Sequence, residues 1–343
     1  LLRSGALPAT RRAVAGLTAV GAASVLLAGC TVEPPTPAPE APVVAAVVST
    51  SQERKILDRV SGAVQAADDA TDAGTLAARL TGPALAMRQA ELRVAEARGD
   101  NKLLTDLTFE TQQVILPLEQ GWPRSSFVIT VQPPDNATPA LAAFEQSSAR
   151  EQYKLWGFVH LAPRVTMPRF AEAELGSPAV AADDTSLKAS PQAAVEQYAS
   201  VLTAGEDSRY TDNFAAADDD ELRLQLRKSG ANQVAQIEDK DGEGSFEVAY
   251  EPAKGPVKAV RTADGGAVVL AELLSLETLK AEEGWRLTPA TPSAKALWGD
   301  AKGTDVMKIA FRNTVALYVP PAGSAEQIGL LGFHRVPYAV SNG

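Results

Sequence analysis

Three groups of side chains in this sequence are equipped for chemistry. Cys30 is the only cysteine among 343 residues; a lone thiol can be an acylation site, a nucleophile or a buried apolar residue, but it has no disulfide partner. His160 and His334 are the only histidines, and both fall in extended apolar stretches, "WGFVHLAPRV" and "LGFHRVPYAV". An imidazole titrates near neutral pH, so either can serve as a general base, or pack its ring and hydrogen-bond in a core. Third, "DKDGEGSFEVAYE", Asp239 to Glu251, clusters the carboxylates that a hard cation would need. Beyond these, the sequence contains no G-x-S-x-G, no H-E-x-x-H and no phosphate-binding loop. Thr211-Asp212-Asn213 is close to the S-D-N element of the penicillin-binding enzymes, but the S-x-x-K and K-T-G elements they also need are missing, so the likeness is chance. No catalytic residue is assigned.

The flanks of Cys30 decide what its thiol does. Arg3, Arg11 and Arg12 open the chain with no acid among them, and Ala13 to Ala28 is almost wholly apolar. That is the charged region and short hydrophobic region of an export signal. It is too short, and too rich in Ala and Gly, for a comfortable span of about 20 residues. Leu27-Ala28-Gly29-Cys30 resembles the lipobox of bacterial lipoproteins. The resemblance implies that Cys30 is diacylated on sulfur, that the chain is cut before it, and that Cys30 becomes the new N-terminus. One acyl chain binds membranes marginally and two make a durable anchor. Pro34, Pro35, Pro37, Pro39 and Pro42 keep residues 31–42 extended at about 3.1 Å per residue, a tether that holds a folded body off the lipid. Thr10-Arg11-Arg12-Ala13-Val14 suits twin-arginine export as well as the general pathway.

The acidic run resembles the opening of a calcium-binding EF-hand loop. Asp239, Asp241, Glu243 and Gly244 fall at loop positions one, three, five and six. Position twelve, where calcium needs a bidentate Glu, is Tyr250, and Glu251 comes one residue late. Calcium held by Asp239, Asp241, Glu243 and Glu251 is therefore an incomplete match, and a solvent-exposed acidic turn accounts for the same letters. Two histidines without a second cysteine are too few for a transition-metal site. No cofactor other than calcium is a candidate.

Composition narrows the partners. Without residues 1–29 the chain has 29 basic against 42 acidic residues, a net charge of −13. Nucleic acid is excluded as a partner, because phosphate binding needs clustered Lys and Arg. The roughly 290 residues after the tether suffice for two ordinary domains.

The elements that must position these residues come in a repeated order. Helices are expected over residues 49–70, with Ser49 or Ser51 as cap, and over 75–98, broken at Gly82-Pro83 and ended by Gly99. Strands follow at Val114–Glu119, Ser126–Gln132 and in "YKLWGFVHLAPRVTM"; "ALAAFEQSSA" between them reads as a short helix or loop. Residues 171–189 are small, polar and weakly periodic, a linker. Ser190-Pro191 then opens a helix that Gly205 ends. "DDDELRLQLRKSG" is a second helix, stopped at Gly230. "ANQVAQIEDKDGEGSFEVAYEP" and "VKAVRTADGGAVVLAELLSLETLK" read as hairpins turning at Asp241-Gly242 and Asp264-Gly265. "GWRLTP" and two long runs at the end complete the strands.

Helices before strands, twice, and the Gly-Phe shared by the two histidine strands suggest an internal repeat. The layout resembles the cone-shaped fold of the nuclear-transport-factor-two-like (cystatin-like) superfamily. With the lipobox and "RLTGPALAMRQAEL" it also looks like uncharacterised lipoproteins of actinobacteria. The expected class is α+β: two cone-like domains, each with helices packed on a curved antiparallel sheet. Their bounds are 1–29 (signal), 30–48 (lipidated Cys and tether), 49–170 (first cone), 171–189 (linker) and 190–343 (second cone). The expected function is non-catalytic binding of a small apolar ligand, an envelope component or an exported protein at the outer face of the membrane. An envelope enzyme with an acid–base pair around His160 or His334, and a closed scaffold, are the alternatives. Trp122, Trp156, Trp285 and Trp298 would line a ligand mouth or fill cores.

Overall fold

The structure, a computed structural model, describes residues 48–343 except residues 108, 120 and 134–137. Cys30 and the lipobox residues Leu27, Ala28 and Gly29 lie outside the described residues. The elements in chain order are α1 (Thr50–Ala70), α2 (Gly82–Arg98), β1 (Thr111–Ile115), β2 (Pro117–Leu118), β3 (Arg124–Thr130), β4 (Ala140–Gln146) and β5 (Lys154–Leu161). After them come β6 (Ser177–Pro178), α3 (Pro191–Ala204), α4 (Glu221–Glu238), β7 (Gly244–Pro252) and β8 (Lys258–Arg261). β9 (Ala267–Ala281), α5 (Pro292–Trp298), β10 (Val306–Val319) and β11 (Gly329–Asn342) complete the chain. The class is α+β.

Local signals set the helix starts. Ser49 caps α1 in a capping box with Gln52. Ser190 caps α3 with Pro191 in its first turn, and Gly205 follows its end. Gly99 ends α2 at φ 69°, a left-handed residue that costs glycine nothing.

Three sequence expectations are corrected. Ala140–Gln146 is not helix or loop but a strand, paired with β3 on one side and β5 on the other. The ladder and two buried faces override the helix preference of its alanines. The helix expected to stop at Gly230 runs eight residues further, to Glu238. Gly230 is there for packing: a Cβ on it would meet the Phe246 ring at 2.6 Å. "ANQVAQIED" is therefore helical, and Asp241-Gly242 joins a helix to a strand instead of turning a hairpin. The short strand expected in "GWRLTP" is only an isolated bridge at Leu287, and α5 follows, capped by Thr291 with Pro292 next.

The strands of both halves enter one nine-stranded sheet in the order β1-β3-β4-β5-β11-β10-β9-β7, with β8 also paired to β9. Each half runs as an antiparallel meander from an outer edge to the middle, where β5 and β11 pair antiparallel through Leu161–Gly332 and His160–Phe333. Strand alternation then builds three layers of core. Val128, Ala142, Phe144 and Leu155 face α1 and α2. Phe127, Leu141, Ala143 and Val159, on the opposite side of the same strands, pack against Val268, Leu270, Ala316 and Leu331 of the second half. Val269, Ala271, Leu273, Val315 and Leu317 point the other way, to α3 and α4. The sheet is thus folded back on itself at the β5–β11 join, with a helical layer outside each half. Each large side chain fully buried here contributes about 1.5–3 kcal/mol. Polar ties reinforce the fold: Lys258 of β8 pairs with Glu145 of β4, and the Thr314 hydroxyl donates to the Phe158 carbonyl. The 171–189 stretch is anchored too, since β6 pairs with β2 and Ala179 bridges to Val260.

Candidate functional site

A cavity opens between the C-terminal end of α3, α4 and the edge strand β7. Its volume is about 620 Å³, within the usual range for small-molecule sites. One face of α4 forms its floor: Arg223, Leu226, Arg227, Gly230, Ala231 and Val234 recur at helical spacing. Val201 and Leu202 of α3 and Phe246 and Val248 of β7 supply apolar walls.

The elements around this cleft are held by buried polar contacts. Asp220 caps α4 by accepting from the Arg223 amide at 3.0 Å, and it accepts from the Tyr198 hydroxyl of α3 at 2.9 Å. Both groups are buried, and desolvation raises the pKa of each. On β7 the Tyr250 amide donates to the Thr203 hydroxyl at 2.8 Å, which ties α3 to the sheet edge. The charged residues lining the cleft are Arg223, Arg227 and Glu206. Arg223 donates to Glu206 at 2.8 Å and to the Ala215 carbonyl at 3.1 Å. Arg227 donates to Asp218 at 2.7 Å.

The two histidines come together at the β5–β11 join. Their ring centroids lie 5.5 Å apart, and His334 stacks on Phe158 at 4.5 Å. Both border a smaller cavity of about 440 Å³ together with Arg335 and Glu221. His334 is buried, and desolvation, helped by His160 and Arg88, pushes its pKa down to about 3. Burial also lowers His160, against a backbone hydrogen bond at Thr138. His334 Nε2 lies 3.7 Å from Glu91 Oε1 and has no hydrogen-bond partner among the described residues. Glu91 is itself held by Arg88 at 2.7 Å and by the Thr105 hydroxyl. A general base works best with a pKa near the operating pH; His334 is far below it. The geometry is that of a packed pair bordering a cavity.

The acidic motif is spread over three local structures. Asp239 caps the end of α4, Asp241 sits in a turn at φ 62°, Glu243 precedes β7 and Glu251 lies within it. Among the described residues no group of three or more His, Cys, Asp or Glu side chains is placed to hold a metal ion. The tryptophans are dispersed: Trp156 is buried between the half-sheets, Trp298 donates to the Ala301 carbonyl at 2.6 Å, and Trp122 lies exposed beneath Arg124.

Sequence reasoning missed the cleft. The signal was present in the spacing of Arg223 to Val234, but it shows only if the helix is carried through Gly230. It also missed Glu53, a carboxyl buried beneath α1 whose pKa desolvation raises to about 7 against a hydrogen bond from Ser126.

Fold and cleft together define an α+β body with a folded-back sheet and an apolar ligand-sized cavity. Comparison with known proteins places it more closely. The chain belongs to the family described as a domain of unknown function, DUF8094, whose model matches residues 44–336. It is similar to an uncharacterized lipoprotein of Streptomyces avermitilis, with 28% identity over 268 residues, 76% of each chain. No solved structure matches. Among the described residues, no helix is long and apolar enough to cross a membrane.

Proposed function

We propose that this protein is an extracytoplasmic lipoprotein, anchored to the outer face of the cell membrane through Cys30, whose body binds a small apolar ligand in the cleft of α3, α4 and β7. The apolar cavity of about 620 Å³ carries the binding reading. The anchor rests on Leu27-Ala28-Gly29-Cys30 and on the likeness to a lipoprotein of another organism. The two helix-then-meander halves, 49–170 and 190–343, are read as two cone-like units that share a sheet.

Cys30→Ala in cells should block acylation and the cut before residue 30, leaving an uncut, larger precursor; a product of the usual size still in the membrane fraction would remove the anchor. The mature chain, residues 30–343 with Cys30→Ala, then serves for binding. Titration with the apolar fluorophore N-phenyl-1-naphthylamine should show saturable enhancement at one site. Ala231 is exposed at the cleft's edge, so Ala231→Trp fills the mouth without disturbing the core. It should weaken the probe by about tenfold or more, equivalent to about 1.4 kcal/mol. Equal binding by both proteins would move the ligand elsewhere.

A further inference from the structure

The cleft has two chemically different ends, and the order of residues along α4 sets them. Arg223 and Arg227 occupy its first turns; Gly230, Ala231 and Val234 follow on the same face, opposite Phe246 and Val248. One end therefore carries two guanidinium groups, each paired with a carboxylate beside the acidic run Asp218–Glu221, and the other end is apolar. Arg223 is only 6% exposed and uses its guanidinium for two hydrogen bonds, to Ala215 and Glu206. A guanidinium offers five N–H donors in a fixed fork suited to carboxylate and phosphate. The acids now facing the two arginines are the replaceable partners. Glu206 is 73% exposed and can turn out into solvent; Arg227 and Asp218 are 54% and 86% exposed, and a pair with both partners in solvent holds weakly.

We propose that the cleft takes a single-chain anionic amphiphile, with its head on Arg223 and Arg227 and its alkyl chain along Gly230, Val234 and Phe246. This rests on the binding reading above and adds the chemical class of the ligand. A carboxylate or a phosphate head would use the same fork, so both are tested.

The test displaces N-phenyl-1-naphthylamine from the mature chain, residues 30–343 with Cys30→Ala, with dodecanoate, dodecyl phosphate or dodecan-1-ol, which share a tail and differ in head. At low salt, at least one of the anions should displace the probe at about tenfold lower concentration than the alcohol; which one does so separates carboxylate from phosphate. Arg227→Gln, at a half-exposed position, should remove most of that advantage, read as the ratio of anion to alcohol concentrations needed for displacement. Glu206→Gln, which frees Arg223 without touching the core, should shift the anions several-fold tighter. This opposite sign separates a head-group site from mere loss of structure. If the alcohol competes as well as both anions and neither variant changes the ranking, the head-group assignment is overturned while the apolar cleft stands. If the probe itself shows no saturable binding, the cleft reading falls and this assignment with it.

Discussion

Gly332→Val is expected to destabilise the body by more than about 4 kcal/mol, among the largest effects a single substitution produces. Gly332 lies on β11 opposite Leu161 of β5, where the two halves of the sheet join. A Cβ there would overlap the His160 carbonyl oxygen and stand 2.9 Å from the Leu161 Cα. These are backbone atoms, so no rotamer change relieves the overlap. The strands cannot part cheaply, because the Ala162 amide donates to the Leu331 carbonyl beside the join, Thr314 holds the Phe158 carbonyl and the stacked Phe158 and His334 brace it. The control is Gly329→Ala on the same strand, where an added Cβ meets nothing within 4 Å and the change should stay within about 1 kcal/mol. Urea unfolding of the full-length chain checks both. Equal midpoints for the two variants would show that the join does not hold the sheet together.

Arg88→Met is the second large effect, with an expected loss of about 3–5 kcal/mol. Arg88 is 2% exposed on α2, and it donates to Asp68 of α1 and to Glu91, both at 2.7 Å. Without the guanidinium, Glu91 remains buried beside His334, with the Thr105 hydroxyl as its other hydrogen-bond partner. The penalty is the uncompensated charge, not the lost attraction, since taking two ions out of water offsets most of what their pairing returns. The double variant Arg88→Met/Glu91→Leu should therefore recover much of the loss. Thermal unfolding of the single and double variants decides the point: a double variant no more stable than Arg88→Met would mean that the pair itself is strongly stabilising.

The residues read well from sequence are those whose reasons are local. Ser49 accepts from the Gln52 amide and Ser190 from the Ala193 amide, each satisfying a free amide of its own helix end, while Pro191 has no N–H to satisfy; both starts are legible in the sequence. The misreadings share one cause. Gly230 looks like a helix stop in isolation, yet its partner is the Phe246 ring on a later strand. Ala140–Gln146 has the letters of a helix and becomes a strand because β3 and β5 take its backbone on both sides. Carrying α4 through Gly230 is also what brings Arg223 and Val234 onto one face, so the same misreading hid the cleft.

The sequence alone determined the α+β class, the placing of α1 and α2 before the first strands and of α3 and α4 before β7, the expectation of an anchor at Cys30, and the absence of a recognisable catalytic motif. Those follow from periodicity, caps and short motifs, whose physics acts within a few residues. Tertiary structure alone decided that β5 and β11 bring His160 beside His334, that the sheet folds back to bury its own middle face, and that α4 with β7 leaves an apolar cleft with two arginines at one end. These depend on contacts between residues far apart in the chain, which are chosen by the packing of whole faces and not by local preference.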